Sequence, residues 1–369
     1  MRTRDDVIEY QKTLDDVGTY TKDLKIRDIV SALEFEFRGT NGASGNLDNF
    51  ISDVITKIEI VDGSEVLYSC NLMELEALHF YKRKSAPVLF PSEWVSTGIQ
   101  RHSCLLMFGR DLWDPDFAMD FHNFTNPQLK VTSNIAAIRA AGTSGYTTST
   151  LKMSCVAKIM EDLPSPPSKY LMAKQQKAWT SGTAGDNPIT LPRDLPYRLA
   201  ILRAYVAGSD IAEAITNLKV NCDRGKFIPF DRYVKDLDAE ALARFGEIRI
   251  KHDIYRAHGA TIRLLVNTEP HSIPINKASG AVIPLINWEW SSQMYLSLFL
   301  HDGTNYSTTQ NWTLNEQGHA LHATLPILFG DPDRPETWFD PTPYDLIEFT
   351  PKEAAAAVCS ILLEQPRPL

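Results

Sequence analysis

Two stretches of six residues are nearly the same, and they set the first expectation about the fold. ITKIEI begins at Ile55 and ITNLKV begins at Ile215, 160 positions later. Both stretches are rich in β-branched residues and mix apolar with polar side chains, which is typical of β-strands. A repeat at this spacing predicts two copies of one structural unit in the chain.

The similarity extends beyond the hexapeptides. Before them lie LEFEFRG (33–39) and LRAYVAG (202–208), and the first of these alternates apolar and charged residues as a half-buried strand does. Near the end of each half lie LKMSCVAKIMED (from residue 151) and AAVCSILLEQ (from residue 356). Four elements match in the same order, so we interpret the chain as a tandem duplication.

Each hexapeptide is followed by a turn, a short apolar run and a predicted helix that contains Glu-Ala-Leu. In the first copy, Asn71 and Glu74 have the spacing of a capping box and predict a helix through about Tyr81. In the second copy, an acidic start at residues 236–238 and a stop at Gly246 bound the helix. The two Glu-Ala-Leu triplets are 164 positions apart, which predicts four extra loop residues in the second copy.

The remaining apolar segments are short, rich in β-forming residues and separated by Gly, Pro, Asn and Asp. Strands do not alternate with long helices, so the pattern predicts an all-β protein of two tandem eight-stranded jelly rolls with short helices in the connections. We expect an N-terminal arm at 1–30, jelly roll 1 at 31–162, a linker at 163–197 and jelly roll 2, with longer loops, at 198–369. Six prolines in the linker support this division, and a helix is expected at 170–179. At the C-terminal end we expect a turn followed by a strand from about Ala357.

Composition excludes several classes of function. Hydrophobic residues make up 43% and charged residues 22%, as in folded globular proteins, and the net charge of −9 argues against a nucleic-acid binder. Neither a membrane-spanning run nor a secretory signal is expected. The five cysteines are dispersed singly, which favours buried free thiols over disulfides or zinc ligands.

A search for chemistry finds no nucleophile elbow, phosphate-binding loop, dinucleotide fingerprint or zinc-protease motif. We therefore predict no catalytic residue and no cofactor. Asp331, Asp333 and Glu336 are candidate metal ligands in an acidic, proline-containing loop that lacks the spacing of an EF-hand. A histidine pair (319 and 322) is more simply interpreted as surface histidines than as metal ligands. An acidic pair (114 and 116) could serve a glycosidase but is more simply interpreted as part of a proline-stiffened polar turn. Aromatic residues of the second half (Trp288, Trp290, Trp312, Trp338 and Phe339) are candidates for the core or for an interface.

The stretch ITKIEIVDGSEVLYSCNLMELEALHFY (55–81) resembles the first jelly roll of major capsid proteins from tailless, lipid-containing icosahedral bacteriophages. These proteins belong to the double jelly-roll lineage that includes adenovirus-type hexons. The resemblance implies a non-enzymatic structural protein of the virion, made in the host cytoplasm, whose homotrimers tile an icosahedral shell as pseudo-hexamers. It also implies lateral trimer contacts, penton and minor capsid proteins as partners, and an N-terminal arm near an internal membrane. On this view, deleting residues 1–25 should spare the trimer and impair assembly.

Two other interpretations stay open at this point. A glycan hydrolase built from two jelly rolls would require Asp and Glu side chains that converge in an apolar cleft. A carbohydrate- or receptor-binding spike would require an aromatic platform on one exposed face.

Overall fold

A computed structural model describes residues 1–42, 50–90, 97–136, 145–206, 210–257, 261–264, 268–272, 275–277, 288–290, 296–299 and 309–369. Side chains are described over the same ranges except at position 90 and at 253–314, where Thr268 alone is included.

Short strands dominate the chain, as the sequence predicts. The strands are β1 Arg2–Thr13, β2 Val17–Asp23, β3 Ile29–Thr40, β4 Ile55–Asp62, β5 Glu65–Cys70, β6 Val88–Phe90, β7 Ile99–Met107, β8 Met119–Asp120, β9 Pro127–Asn134, β10 Lys152–Glu161, β11 Lys169–Thr180, β12 Gly185–Asp186, β13 Ile189–Thr190, β14 Leu199–Tyr205, β15 Ile215–Cys222, β16 Phe227–Tyr233, β17 Ile248–Ala257, β18 Thr261–Leu264, β19 Glu269–Ser272, β20 Ile275–Lys277, β21 Trp288–Trp290, β22 Leu296–Phe299, β23 Thr309–His319, β24 Thr324–Leu328, β25 Ile347–Glu353 and β26 Val358–Pro368.

The described helices are few and short. They are α1 Ile51–Val54, α2 Leu72–Arg83, α3 Ile211–Ala214 and α4 Val234–Phe245, with 3₁₀ turns at Phe121–Asn123, Asp223–Gly225, Leu321–Ala323 and Pro335–Thr337. Among the described residues, no helix combines the length and apolar character needed to cross a membrane.

The first half of the chain forms a sandwich of two antiparallel sheets. One sheet has the order β1-β10-β3-β7-β6, with β8 also paired to β3, and the facing strands have the order β2-β9-β4-β5. Strand β3 shows why these segments are strands: Leu33, Phe35 and Phe37 are fully buried, while the charged residues between them lie on the half-exposed face. A turn at Gly63, whose φ of +60° suits glycine, closes the β4–β5 hairpin.

The second half repeats this topology. Its two sheets have the orders β11-β26-β14-β24 and β12-β25-β15-β16, with β13 also paired to β25. Each principal strand therefore has a counterpart with the same neighbours: β1 with β11, β3 with β14, β4 with β15, β5 with β16, β7 with β24, β9 with β25 and β10 with β26. The predicted duplication into two eight-stranded jelly rolls is confirmed, with β2 matched by the short strands β12 and β13.

The helices follow the same equivalence. α1 and α3 precede the two hexapeptide strands, and α2 and α4 follow the two hairpins, beginning at residues 72 and 234. The helices are thus offset by 162 positions, compared with 160 for the hexapeptide strands, so the second hairpin has two extra residues. The prediction of four extra loop residues from the Glu-Ala-Leu match is therefore wrong. Asn71 and Glu74 form the predicted capping box, with reciprocal bonds of 2.8 and 3.0 Å, and Gly246 ends α4 at a φ of +80°.

The second repeat carries a long insertion between α4 and β24. Strands β17, β23, β19 and β20 form one sheet of this insertion, and β18, β22 and β21 form another. The sequence also favours one of the longer loops of jelly roll 2 at residues 270–290, and most of that stretch lies outside the described residues.

The N-terminal segment and the predicted linker are strands of the jelly rolls. β1 pairs with β10 and β2 pairs with β9, so the prediction that residues 1–30 form an arm outside the sheets is wrong. Likewise β11 occupies the middle of the predicted linker, where a helix was expected at 170–179. β1 is an edge strand that exposes most of its side chains, so it lacks the alternation that marks a half-buried strand. The other predicted boundaries stay predictions, and the expected C-terminal strand is confirmed by β26, which begins at Val358.

The two repeats share one continuous sheet and one core. Strands β5 and β11 lie side by side in parallel, with Ser69 paired to Lys174, which joins four strands of each repeat into an eight-stranded sheet. The apolar core of the first repeat includes Ile201 and Leu362 from the second. A second core fills the sandwich of repeat two, and all five cysteines are buried and free, as predicted.

Candidate functional site at the junction of the two jelly rolls

Helix α2 belongs to the first repeat and is buried at its junction with the second. Residues 72–82 are all buried, although Glu74, Glu76, His79 and Lys82 are ionisable. An ionisable group in a protein interior is expensive unless it is paired or neutral. The partners of these four side chains therefore define what the junction requires.

Glu76 lies between two histidines, one from each repeat. Its Oε1 is 2.8 Å from Nδ1 of His102 on β7, and its Oε2 contacts Nε2 of His322, which precedes β24. All three side chains are fully buried. Burial by itself raises the pKa of Glu76, but the two histidines outweigh it and lower the pKa to about 2. The carboxylate therefore links the repeats in its ionised form.

Lys82 lies one and a half turns further along the same helix and pairs with Glu364 on β26. Its ammonium group also donates to the carbonyl oxygens of Met107 at 3.1 Å and Gly109 at 2.9 Å. Burial lowers the pKa of Lys82 to about 8, and Glu364 opposes that shift. On its other side, Glu364 binds Arg198, so one buried carboxylate holds two buried cations.

Glu74 both caps α2 and contacts the second repeat. Its Oε2 accepts the backbone N–H of Asn71, while its Oε1 accepts from Ser360 at 2.6 Å and from Gln175 at 2.7 Å. Burial raises the pKa of Glu74, and these hydrogen bonds oppose the rise. One side chain thus fixes the start of the helix against strands β11 and β26.

Two further contacts complete the described junction. Tyr81 donates to the carbonyl oxygen of Thr324 at 2.9 Å and stacks edge-to-face on Phe245, the last residue of α4, at a centroid distance of 5.0 Å. His79 accepts the backbone N–H of Leu105 at 2.9 Å. Burial, reinforced by Arg83, lowers the pKa of His79 to about 4, so this imidazole is neutral near pH 7.

These contacts engage every buried ionisable side chain of α2 within the protein. Paired charges between packed strands hold surfaces together, whereas a catalytic acid or base needs access to a substrate. The arrangement therefore fixes the two jelly rolls relative to each other.

The acidic loop after β24 does not gather its carboxylates. Asp331 accepts the backbone N–H of Asp333 at 3.1 Å, and Glu336 pairs with Arg334 at 2.8 Å. Within the part of the chain that the structure describes, no group of three or more His, Cys, Asp or Glu side chains is placed to hold a metal ion. The candidates Asp331, Asp333 and Glu336 thus lie near one another in sequence without forming a ligand set.

The other sequence candidates are also engaged. His319 contacts Asp238 at 2.6 Å, while His322 contacts Glu76, so the two histidines face different acids. Asp114 and Asp116 both bind Arg110, at 2.7 and 2.5 Å. The interpretation of His319 and His322 as surface histidines is wrong, because both side chains are buried.

A cleft of about 480 Å³ lies between β1 and β2. Five of its eight lining residues are polar, among them Asp6 and Asp23 beside Lys22 and Lys25. The carboxylate of Asp23 accepts from Gln128 at 2.8 Å. Two acids accompanied by two lysines do not provide the apolar walls that raise the pKa of a glycosidase acid.

The predicted aromatic positions divide into two groups. Trp338 is buried against Phe117, and Phe339 packs on Tyr197, so both side chains contribute to core packing. The side chains of Trp288, Trp290 and Trp312 lie outside the described residues.

Sequence reasoning missed the junction. Its signal was present in NLMELEALHFYKR (71–83), where acids, a histidine and a lysine interrupt an apolar helix. An amphipathic surface helix places such residues on one solvent face, but here they occur on several faces. The partners lie up to 286 positions away, so spacing along the chain could not reveal them.

No family model and no curated protein sequence matches the chain. The structure is similar to the major capsid protein of Sulfolobus Turreted Icosahedral Virus, with a TM-score of 0.60 and 9% identity over 100% of this chain and 97% of that one. It is also similar to the major capsid protein of bacteriophage PM2, with a TM-score of 0.55 and 10% identity over 100% and 98%. For the PBCV-1 virus capsid the TM-score is 0.57, with 8% identity over 99% and 93%. This chain therefore has the double jelly-roll fold of these viral major capsid proteins.

Proposed function

We propose that this chain is a major capsid protein that forms the tiles of an icosahedral shell. The observation that carries the proposal is the side-by-side placement of two jelly rolls with the same strand order, joined by a buried junction. The structural similarity to three capsid proteins over nearly the full length of each chain supports it.

The duplication gives a physical reason for this function. A homotrimer of a chain with two similar units contains six units, so a threefold assembly presents nearly sixfold edges. Such a tile fits a hexagonal lattice, in which each tile meets six neighbours. The buried junction suits this use, because a tile transmits lateral contacts only if its two halves keep their relative positions.

The proposal includes location and partners. The protein would be part of the virion, made in the cytoplasm of the host, with lateral trimer–trimer contacts and with penton and minor capsid proteins as further partners. If the N-terminal region contacts an internal membrane, a sheet edge makes that contact, because residues 2–13 and 17–23 are strands.

No enzymatic activity is proposed. The similar structures are capsid proteins, and the described acids are paired within the fold. A glycan hydrolase or a spike protein becomes the better interpretation if the protein does not self-associate.

Light scattering behind a sizing column tests the proposal. Three chains of 41.5 kDa give a species of about 125 kDa that resists dilution. Concentrating the trimer should then yield sheets or shells with a hexagonal lattice in electron micrographs. A monomer at all concentrations would overturn the proposal.

A further inference from the structure

The chain segment between the insertion and β24 has an unusual backbone. Ala320, His322 and Ala323 have φ angles of +50°, +57° and +57°. This left-handed region is costly for a residue with a Cβ atom, by roughly a tenfold population penalty each, although histidine and asparagine adopt it more often than alanine does. Three such residues within positions 320–323 therefore hold backbone strain, which persists only where other contacts fix the conformation. We call residues 320–323 the strap.

Contacts with the junction fix the strap. The imidazole of His322 binds Glu76 on α2, and the carbonyl oxygen of His322 accepts from Arg203 on β14 at 3.2 Å. Directly after the strap, the carbonyl oxygen of Thr324 accepts from Tyr81 on α2 at 2.9 Å. The strap is buried along its whole length, so its strained residues are enclosed between elements of both jelly rolls.

The other end of the strap is continuous with the insertion. His319, the last residue of β23, contacts Asp238 on α4 at 2.6 Å. β23 pairs with β17, β19 and β20, so it is the strand that joins this sheet of the insertion. Since only the four residues of the strap separate β23 from β24, a change in the backbone of the strap must move the end of β23.

We propose that the strap is a strained latch that couples the insertion to the junction. In the closed state, the contact between His322 and Glu76 outweighs the backbone strain. Loss of that contact lets the strap relax out of the left-handed region, and residues 315–319 at the end of β23 then lose their packing. Coupling between two sites is reciprocal, so a partner that displaces β23 by binding the insertion also weakens the contact at Glu76. The latch acts within one chain and is independent of the proposed trimer.

Backbone strain distinguishes a latch from a simple anchor. An unstrained strap would keep its conformation after His322 lost its contact with Glu76, whereas a strained strap would open. Glycine adopts left-handed backbone without the penalty of a Cβ atom. Glycine at positions 320 and 323 should therefore keep the strap closed even without the contact.

Hydrogen exchange at the amides of residues 315–319 measures whether the strap is open. The test variant is His322→Asn, because asparagine also adopts left-handed backbone but is too short to reach Glu76. We expect exchange at these amides to accelerate by about tenfold or more relative to wild type. The combined variant with Ala320→Gly and Ala323→Gly should exchange within about threefold of the glycine pair alone, a comparison that cancels the loss of two methyl groups.

The matched control is the pair Ala354→Gly and Ala356→Gly. Both alanines are exposed, and neither has a positive φ. This pair makes the same chemical change outside the strap, so it should leave the faster exchange of His322→Asn unchanged.

Three outcomes would overturn the latch. Exchange at residues 315–319 of His322→Asn that equals wild type would show that the contact does not hold the strap. Fast exchange that persists with glycine at positions 320 and 323 would show an anchor without strain. If His322→Asn does not fold, the combined variant should fold, because the glycine pair removes the strain, and its failure to fold is the third contradicting outcome.

Discussion

Lys82 of helix α2 and Glu364 of strand β26 form an ion pair between the two jelly rolls, with both side chains almost completely buried. Glu364 also holds Arg198, so this site contains two cations and one carboxylate. Removing one member of a buried charged group leaves the others without compensation, and the cost depends on which member is lost.

Because two cations share one carboxylate at this site, the loss of the carboxylate should cost more than the loss of one cation. Glu364→Gln should lower the free energy of unfolding by about 3–5 kcal/mol, because it leaves both Lys82 and Arg198 without their carboxylate. Lys82→Met should cost less, about 1–3 kcal/mol, because Glu364 keeps Arg198 and mainly the hydrogen bonds to two carbonyl groups are lost. Urea unfolding at one fixed protein concentration measures both changes.

The control for this pair is Lys22→Met. Lys22 pairs with Glu9 at 3.0 Å on the surface, and such pairs contribute about 0–1 kcal/mol.

The pH dependence of stability tests the buried state of Lys82 independently. Because the pKa of Lys82 is lowered to about 8 in the folded state, the unfolded chain binds more protons between pH 8 and 10.5. Wild type should therefore gain stability relative to Lys82→Met over that range. Equal costs for the two variants would contradict the assignment of Glu364 as the shared partner.

The second prediction concerns acid. His79 is neutral in the fold and its pKa is lowered to about 4, so the unfolded state takes up protons first and stability falls as the pH drops from 6.5 to 4. Glu76, with a pKa of about 2, adds a further loss from pH 4.5 downward, because its ionised form is stabilised in the fold. His79→Asn keeps an acceptor for the Leu105 N–H and should remove about 3 kcal/mol of the loss above pH 4.

Urea unfolding at pH 7, 5.5 and 4 tests this acid prediction. The control is His122→Asn, since the His122 side chain is exposed on the surface beside Asp120. A His79→Asn protein that loses stability as steeply as wild type would show that His79 is not the group that titrates.

The third prediction corrects an expectation from the sequence. Deleting residues 1–25 removes β1 and β2 together with Leu14 and Leu24, which are each 2% exposed in the first core. Truncating one buried leucine costs about 2–5 kcal/mol, so we now expect the first jelly roll not to fold without this segment. Circular dichroism and limited proteolysis should show loss of the first repeat. Deleting only residues 1–4, which make surface ion pairs, is the control and should leave the fold intact. A cooperative trimer of the longer deletion would restore the interpretation as an arm.

The existence of the repeat was predicted from the sequence more accurately than the boundaries of the two jelly rolls. The hairpin, helix and hexapeptide strand of each half were found because each depends on local patterns of spacing and turns, and in α2 also on the capping box. β1 and β11 were missed for two different reasons. β1 is an exposed edge strand, whereas β11 runs in a proline-rich region and alternates poorly because it is buried at the junction. The contacts of Glu76 were not predictable, since His102 and His322 reach it only through the packing of two sheets.

The last prediction concerns the acidic loop that holds the candidate metal ligands. Asp331 accepts the N–H of Asp333, and Glu336 is paired with Arg334 beside it, so calcium would have to displace existing partners. Calcium binding also requires six to eight oxygen ligands around one point, and among the described residues these three carboxylates do not converge on one. We expect the melting temperature of wild type to be the same with millimolar calcium as with a chelator. The melting temperature of Asp331→Asn should likewise be the same under the two conditions. Differential scanning calorimetry makes the comparison. A rise in melting temperature with calcium that Asp331→Asn abolishes would show that the loop rearranges into a calcium site.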